Sequence, residues 1–384
     1  MNYYFDFSSF SMNKYNEELC GDKVEFLNSD EKFIAVLSDG LGSGVKANIL
    51  ATLTSKIAIT MLKEGAELPE VVDTILETLP VCLERNLAYS TFTIITIDFE
   101  GMVYIAEFDN PSIFYLSNKK VQDINWIELS INNRIIRESR FKIKENDILI
   151  FVSDGVIYAG GGTVLNLNWK WEDVKAYIEK FITVNMTSRE ITRTLIGACD
   201  QLYMQKPGDD TTVATIKISK PKYTTIFTGP PKDKKHDEYV ASEFLKNKGK
   251  KVICGGTSAK IIARKLNQKI DMNFNIIDED IPPIARIKGI DLVTEGMLTL
   301  KRSIEILESI KDGENTKLKD DGASKLVKIL LEQSTHIKFI VGCAINSANK
   351  CMYSNEIENP KVEVVKQLEK ALKKFGKIVE VYYC

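Results

Sequence analysis

The 384-residue sequence has few histidines and no grouped cysteines. Its two histidines, His236 and His336, both lie in the second half of the chain, so imidazole catalysis and His-ligated zinc are excluded from the first half. The seven cysteines form no CxxC pair, and none is followed by an arginine six positions later. A disulfide framework, a zinc-thiolate site and a cysteine-dependent phosphatase loop are therefore disfavoured.

The sequence also lacks an excess of charge of either sign. Lys and Arg total 51 against 53 Asp and Glu, which gives a net charge of -2 at pH 7. This balance provides no electrostatic basis for binding nucleic acid or an anionic membrane. Neither a basic leader followed by an apolar segment nor a run with the length of a membrane span is evident. We therefore expect a cytoplasmic protein with neither nucleic acid nor membrane as a partner.

Two domains are expected from the length and from a change in composition. A chain of this length with 44% hydrophobic residues can bury more than one ordinary core. Near Lys220 and Pro221 the composition shifts toward Lys, Pro and Gly. The sequence therefore predicts one domain over residues 1–219 and a second over residues 220–384.

Acidic residues follow apolar runs at several places in the first domain. The run at 33–38 ends at Asp39 and is followed by Gly40, Gly42 and Gly44, and the run at 148–153 ends at Asp154 and Gly155. Three more aspartates lie beside predicted strand ends: Asp22, Asp209 and Asp210. Carboxylate oxygens are the ligands that Mg²⁺ and Mn²⁺ prefer. The pattern predicts a site for divalent ions.

The sequence motifs GD, SDGLGSG, SDG and GDDTTV occur in this order over about residues 11–219. In that order they resemble the metal-dependent type-2C (PPM) protein serine/threonine phosphatases, most closely the bacterial branch typified by stage II sporulation protein E. The resemblance implies an α+β domain, a β-sandwich flanked by helices on both faces. It also implies hydrolysis of phosphoserine or phosphothreonine on a protein, by a hydroxide that bridges two Mn²⁺ or Mg²⁺ ions. Bacterial relatives often act on anti-sigma-factor antagonists, so a phosphoprotein of that kind is the expected partner.

The same resemblance implies a role for each acidic residue. Asp39 would bridge both metals, with the Gly40 carbonyl on one of them, and Asp39 and Asp154 would act in catalysis through metal-bound water. Asp22 would bind on the side of Asp39, directly or through water, and Asp154 and Asp209 would bind the other metal. Asp210 would orient its neighbour. The phosphate-binding arginine and the histidine acid of the eukaryotic pattern are missing, so the general acid stays unassigned.

Other residues near these motifs have two interpretations each. Lys23 and Lys46 could approach a phosphate, or they are solvated. The segment Asn110–Ser112 is explained more simply as a structural turn than as a substrate contact. Helical spacing predicts helices at about 45–64 and 70–88, which relatives use as a regulatory element, and Gly42 and Gly44 would be its hinge.

The second domain is expected to be a smaller α/β domain with a partly parallel sheet. Strand, glycine turn and helix follow one another at 251–266 and again at 290–310, and further strands are predicted at 337–343 and 378–383. The turns Gly255, Gly256, Thr257 and Thr294, Glu295, Gly296 could hold an anion at a helix start or simply permit tight turns. A small-molecule or protein effector is the corresponding partner.

A second functional class remains open at this point. The chain could keep the phosphatase shape without catalysis and bind a phosphoprotein or a small ligand. The full set of acidic positions favours the enzyme, because a binding module has no need for all of them.

Overall fold

The protein is described here by a computed structural model. It describes residues 3–29, 31–78, 90–131, 134–161, 169–272, 284–311, 318–344 and 360–384, together with the short strands Val81–Cys82 and Leu87–Ala88. The chain divides into two compact units, Met1–Lys220 and Pro221–Cys384.

The first unit is built on two antiparallel sheets. Its strands are β1 (Tyr4–Met12), β2 (Asp22–Asn28), β3 (Lys32–Gly40), β4 (Val81–Cys82), β5 (Leu87–Ala88), β6 (Ser90–Asp98), β7 (Met102–Phe108), β8 (Phe114–Ser117), β9 (Lys120–Gln122), β10 (Ile127–Ile131), β11 (Arg134–Lys142), β12 (Ile148–Val152) and β13 (Thr211–Ser219). Sheet 1 has the order β1-β13-β12-β8-β9, and sheet 2 has the order β10-β11-β7-β6-β3-β2. The pair β4 and β5 forms a separate small ribbon.

Large apolar side chains from both sheets fill the space between them. Phe5, Leu149 and Phe151 come from sheet 1, and Phe33 and Ile105 come from sheet 2, all of them almost completely buried. The strands at the centre, such as β3 and β12, are buried on both faces, which explains why their sequences are continuous apolar runs rather than alternating ones.

Helices cover the outer face of each sheet. The helices are α1 (Gly44–Lys63), α2 (Leu68–Thr78), α3 (Asp154–Ile157), α4 (Trp171–Phe181) and α5 (Ser188–Leu202). The first two pack on sheet 2 through Ala58 and Val72, and the other three pack on sheet 1 through Val156, Ile178 and Leu195. The unit therefore has four layers, helix, sheet, sheet and helix, as the resemblance implied.

The second helix is shorter than the sequence predicted. We expected it to extend over about 70–88, whereas α2 ends at Thr78 and short strands occupy Val81–Cys82 and Leu87–Ala88. Pro80 explains the error, because proline has no N–H to donate and disfavours helical backbone at the residue before it.

Helix α1 contradicts the expectation that no stretch has the length of a membrane span. Its 20 residues have a mean hydropathy of 1.2, so by length and composition alone it could cross a membrane. One face of α1 packs instead on sheet 2, and this face carries small residues such as Ala47 and Ala51 that are completely buried. One such helix is weak evidence for a span, since helices in protein cores share these properties.

The second unit contains one seven-stranded sheet. Its elements are β14 (Tyr223–Thr228), α6 (Asp237–Lys246), β15 (Lys250–Cys254), α7 (Gly256–Leu266), β16 (Asp271–Met272), β17 (Ala285–Arg286), β18 (Leu292–Thr294), α8 (Met297–Lys311), α9 (Gly322–Glu332), β19 (His336–Val341), α10 (Pro360–Lys373) and β20 (Ile378–Tyr383). The strand order is β16-β17-β18-β15-β14-β19-β20, and the five strands from β18 to β20 are parallel.

The parallel strands of this sheet are doubly wound. The first of them in the chain, β14, lies in the middle, with the second and third on one side and the fourth and fifth on the other. Helices α6 and α7 pack on one face through Phe244 and Ile262, and α8, α9 and α10 pack on the opposite face through Leu300, Leu330 and Leu368. The expected partly parallel α/β unit is confirmed.

Phe151 provides a test of the core between the two sheets. It is fully buried there, so we expect Phe151→Ala to destabilise the first unit by about 3–5 kcal/mol. All three tryptophans, Trp126, Trp169 and Trp171, belong to this unit, so urea unfolding followed by tryptophan fluorescence reports on it alone.

The control for this test is Ile127→Ala. The Ile127 side chain is 65% exposed on β10, and its loss should change the stability by no more than about 0.5 kcal/mol. Equal unfolding midpoints for the two variants would contradict the two-sheet core.

Candidate active site

Strand pairing in sheet 2 places two of the predicted aspartates side by side. Strands β2 and β3 are antiparallel, and their register sets Asp22 directly opposite Asp39. Directly opposed residues point to the same face of a sheet, with Cβ atoms about 4.5–5.5 Å apart. The backbone N–H of Gly40 also donates to the carbonyl of Gly21, at 3.2 Å, which continues the pairing past the strand ends.

Sheet 1 contributes the other aspartates at the same end of the sandwich. Asp154 begins α3 directly after β12, and Asp209 and Asp210 directly precede β13, the antiparallel neighbour of β12. The N–H of Ser153 donates to the carbonyl of Thr212, at 3.0 Å, which ties the two segments together. The structure therefore brings all five predicted acidic residues to one edge.

Burial and mutual repulsion raise the pKa values of these carboxyl groups. Burial raises the pKa of Asp39 to about 9, with further contributions from the charges of Asp22, Asp154, Asp209 and Asp210. Burial likewise raises the pKa of Asp22 to about 7, and the nearby hydroxyls of Thr212 and Ser153 partly oppose this rise. These hydroxyls donate to Oγ of Ser11 and to the carbonyl of Asp210 and not to Asp22. The pKa of Asp154 is raised by burial and by the charge of Asp209.

Two of the five carboxyl groups have buried oxygens without a hydrogen-bond donor. Asp22 is only 3% exposed, and neither of its side-chain oxygens accepts a hydrogen bond within the described part of the chain. The same holds for Oδ2 of Asp210. Buried acceptors normally find a partner, so orphaned carboxylate oxygens are an indication of an ion or water in the functional protein.

Lys14 is the cation of this edge, and the sequence analysis missed it. Its backbone N–H donates to Oδ1 of Asp210 at 2.9 Å, and its Nζ lies 3.8 Å from Oδ1 of Asp209. Its charge also opposes the rise in the pKa of Asp154. Only its position just after β1 hints at this role, because no motif surrounds it.

The two lysines named from the sequence make no ion pair with these aspartates within the described part of the chain. Lys23 follows Asp22 on the same strand and therefore points to the opposite face, and Lys46 is exposed on α1. Neither forms a salt bridge within the described ranges. Their contact with a phosphate stays a prediction.

Glycine is required at two positions of this edge because other backbone passes close by. A Cβ on Gly40 would overlap with the carbonyl oxygen of Ala47 in α1, and a Cβ on Gly155 would overlap with the carbonyl oxygen of Asp210. These contacts seat the start of α1 against Asp39 and the start of α3 against Asp210.

The donor chemistry of this edge fits hard divalent ions. In the described residues no three His, Cys, Asp or Glu side chains stand close enough to enclose a metal by themselves. Mg²⁺ commonly keeps several waters and is bound through only one or two carboxylates, so a more open ring of acids is compatible with it. The orphaned oxygens of Asp22 and Asp210 and the raised pKa values indicate that positive charge is what this edge needs.

The two glycine turns of the second unit lie together at the carboxyl edge of its parallel sheet. A Cβ on Gly255 would lie 3.9 Å from the Cα of Gly296, and a Cβ on Gly296 would lie 3.5 Å from the Cα of Gly255. Glu295 caps α8, since its carboxylate accepts from the N–H groups of Met297 and Leu298 at 3.2 and 2.8 Å. Helix α7 instead begins at Gly255 without a side-chain cap.

Comparison with known proteins identifies relatives of the first unit. Residues 29–219 match the family model of Stage II sporulation protein E. Over 205 residues the chain is 26% identical to Stage II sporulation protein E of Bacillus subtilis (strain 168), which covers 51% of this chain and 24% of that protein. The chain thus spans about a quarter of the length of this curated relative.

Solved structures of similar proteins were also compared with the chain. The PP2C phosphatase domain of SpoIIE from Bacillus subtilis, solved with a fragment of its regulatory domain, has a TM-score of 0.50 at 21% identity and covers 57% of this chain and 63% of that one. RsbX in complex with magnesium has a TM-score of 0.42 at 17% identity and covers 56% of this chain and 96% of that one.

The four-layer fold of the first unit is that of the PP2C-type phosphatase domains. Within this class, the sequence of the unit is similar to that of stage II sporulation protein E, as the sequence motifs predicted.

The raised pKa of Asp39 predicts how the stability of the metal-free protein depends on pH. The folded state holds the Asp39 proton up to about pH 9, whereas an unfolded aspartate loses it near pH 3.9. This contribution to stability is complete below about pH 4 and is lost as the pH rises to about 9. In EDTA, we expect Asp39→Asn to unfold at a higher urea concentration than wild type at pH 8 and to show a flatter pH dependence.

The control for this experiment is Asp123→Asn, which removes an exposed carboxylate that directly follows β9. It should follow the wild-type pH profile. Identical profiles for wild type and Asp39→Asn would show that the pKa of Asp39 is not raised in the folded protein.

Proposed function

We propose that the first unit is a metal-dependent protein phosphatase that hydrolyses phosphoserine or phosphothreonine on a protein. The observation that carries the proposal is the pairing of Asp22 with Asp39, buried and facing three further aspartates with Lys14 as the nearby cation. A protein that only needed this fold for binding would gain nothing from collecting carboxylates whose charges oppose one another.

Two divalent ions, Mn²⁺ or Mg²⁺, are the proposed cofactors. Asp22, Asp39 and the Gly40 carbonyl would hold the ion on the side of sheet 2, and Asp154 and Asp209 would hold the ion on the side of sheet 1, with Asp39 shared. Such ions neutralise charge on a phosphate and supply hydroxide at neutral pH.

The remaining residues of this edge have supporting roles. The contact of Asp210 with the N–H of Lys14 fixes Asp210 beside its neighbour, and Nζ of Lys14 provides positive charge next to Asp209, where phosphate oxygens can approach. Both histidines of the chain lie in the second unit, so we assign protonation of the leaving group to solvent water.

The proposed substrate is a bacterial signalling phosphoprotein similar to an anti-sigma-factor antagonist. Support comes from homology of the first unit to stage II sporulation protein E. Five cysteines have described side chains, and all five are free thiols, which is typical of cytoplasmic proteins.

The second unit is proposed to bind an effector. Support comes from its doubly wound sheet, since ligands of such sheets bind beyond the carboxyl ends of the strands. The start of α7 at Gly255–Thr257 is the better candidate of the two turns, because the carboxylate of Glu295 already occupies the start of α8.

Loss of individual carboxylates tests the phosphatase proposal. We expect Asp39→Ala and Asp154→Ala to lower hydrolysis of p-nitrophenyl phosphate with Mn²⁺ by about 100-fold or more, because each removes a proposed metal ligand. Glu172→Ala, which removes a well-exposed acid on α4, should retain wild-type activity.

Metal binding should be followed in parallel, by calorimetric titration with Mn²⁺. Weaker Mn²⁺ binding by both aspartate variants is the expected result. Equal metal-dependent rates in wild type, Asp39→Ala and Asp154→Ala would leave only the non-catalytic binding module.

The proposed hinge at Gly42, before α1, has a matched control in Gly65, just after the end of the same helix. Gly42 and Gly65 have φ angles of +99° and +95°, and a Cβ on either would meet no atom within 4 Å. Substitution by alanine at either position should therefore lower the free energy of unfolding by a similar amount, roughly 1–2 kcal/mol. Gly42 is preferred to Gly44, where a Cβ would also press on the Glu17 carboxylate.

Only the Gly42 substitution should change metal dependence. We expect Gly42→Ala to shift the Mn²⁺ concentration for half-maximal activity by about fivefold, because the turn joins Asp39 to α1. Gly65→Ala should leave it unchanged. The same Mn²⁺ dependence in both variants would count against a hinge at this turn.

A further inference from the structure

A cavity opens on the edge of the first unit that carries the aspartates. It has a volume of about 420 Å³ and lies between the segment 110–113, the segment 122–126, Arg137 on β11 and Trp171 at the start of α4. None of the five aspartates lines it. Arg137 lies in the same sheet as Asp39, so the distance between the cavity and the candidate active site can be estimated.

The cavity is joined to Asp39 by adjacent strands. Asp39 pairs with Thr91 at the start of β6, and Oγ1 of Thr91 donates to Oδ1 of Asn110 at 2.9 Å. Asn110 follows β7, and Arg137 lies on β11, the next strand. Because neighbouring strands lie about 4.8 Å apart, the cavity begins about 10 Å from Asp39 and extends to about 15 Å.

The wall formed by residues 110–113 is rigidly held. The buried carboxylate of Glu107 accepts from the N–H of Ile113 at 2.9 Å and from Nη2 of Arg137 at 2.8 Å. Nε1 of Trp171 donates to the carbonyl of Ser112 at 2.9 Å. A wall fixed in this way needs little ordering when a side chain enters the cavity.

Two tryptophans contribute to the apolar surface of the cavity, together with Pro111, Ile113 and Ile124. The ring of Trp171 is stacked on Phe114, with centroids 4.8 Å apart, which fixes its orientation. The guanidinium of Arg137 lies over the ring of Trp126, 5.1 Å from its centroid. Within the described residues Nη2 of Arg137 donates to Glu107 and, at 3.5 Å, to the carbonyl of Asn110, and Arg137 itself lines the cavity.

The charges around the cavity favour an uncharged occupant. The positive charge of Arg137 is compensated by Glu107, and Asp123 adds a negative charge at the rim. An acidic side chain would meet Asp123 and gain little from an arginine that is already paired, and a basic one would meet Arg137. Phe114 and Lys175 lie against the Trp171 ring, and Arg137 lies over the Trp126 ring. An aromatic side chain can pack against the parts of both rings that line the cavity, and its backbone carbonyl can accept from Arg137.

We propose that this cavity is a substrate-specificity pocket that takes an aromatic side chain of the phosphoprotein, three to five positions away from the phosphorylated residue. The spacing follows from the 10–15 Å, roughly, that separate the pocket from Asp39 and from about 3.3 Å per residue of extended chain. Trp126 and Trp171 bind the side chain, and Glu107 acts as a positioning residue through Arg137. This inference rests on the proposed phosphatase function.

Peptides that carry one aromatic residue test the pocket. The substrates are phosphoserine peptides with alanine at all other positions and with Trp, Asp, Lys or Ala placed in turn from five residues before to five residues after the phosphoserine. For wild type with Mn²⁺, we expect Trp at one position three to five residues away to raise kcat/KM about tenfold over Ala, with no gain from Asp or Lys.

Substitution of Trp126 then assigns the preference to this cavity. In Trp126→Ala the ratio of kcat/KM for the Trp peptide to that for the Ala peptide should fall close to one. The neighbouring Ile127→Ala, outside the cavity, should keep the wild-type ratio. Arg137→Ala is unsuitable, because it would leave the buried carboxylate of Glu107 unpaired and destabilise the unit.

Two further measurements separate the pocket from the proposed activity. Hydrolysis of p-nitrophenyl phosphate by wild type shows whether the phosphatase function holds. Binding of the fluorescently labelled peptides, followed by polarisation, tests the pocket without turnover. Equal binding of Trp and Ala peptides by wild type, or an unchanged preference in Trp126→Ala, overturns the pocket even when the enzyme is active.

Discussion

Repulsion between carboxylates at one edge of a β-sandwich is the constraint on which the rest of the first unit depends. The register of β2 and β3 forces Asp22 against Asp39, and the turns around β12 and β13 add Asp154, Asp209 and Asp210. The surrounding structure over-determines this arrangement, because close backbone contacts at Gly40 and Gly155 seat two helices against it. The fold holds negative groups together at this edge, and the large inter-sheet core supplies the stability that this requires.

The parts of this arrangement that are local in sequence could be predicted. The apolar runs ending at Asp39 and Asp154 have a single physical explanation, a strand buried on both faces, and the glycines after them mark the turns. The pairing partners could not be predicted in the same way. Strand register depends on contacts between distant segments, so the opposition of Asp22 and Asp39 becomes visible only in the folded chain. Lys14 was missed for the same reason, since Asp209 and Asp210 are almost two hundred residues away from it in sequence.

Local preference also misled at identifiable places. Strand β1 has a mixed sequence with several serines and only a partly buried pattern, so it gave a weak signal although it pairs along its whole length. The predicted second helix extends beyond Thr78, where α2 ends, because apolar residues continue at helical spacing past Pro80. In the second unit, the strand β14 and the helices α6 and α9 were not predicted, while the parallel character of the sheet was, because the repeated strand, glycine turn and helix at 251–266 and 290–310 leaves few alternatives.

The pairing of β1 with β13 has a consequence for how the first unit is made. Residues 4–12 form their hydrogen bonds with residues 211–219, so the first strand of this unit to be synthesised must wait for the last one. Until then the edge of β1 is unpaired, and contacts of such long sequence separation form slowly. The first unit therefore closes as a single event late in synthesis, and a chain interrupted before residue 219 would emerge with an open sheet.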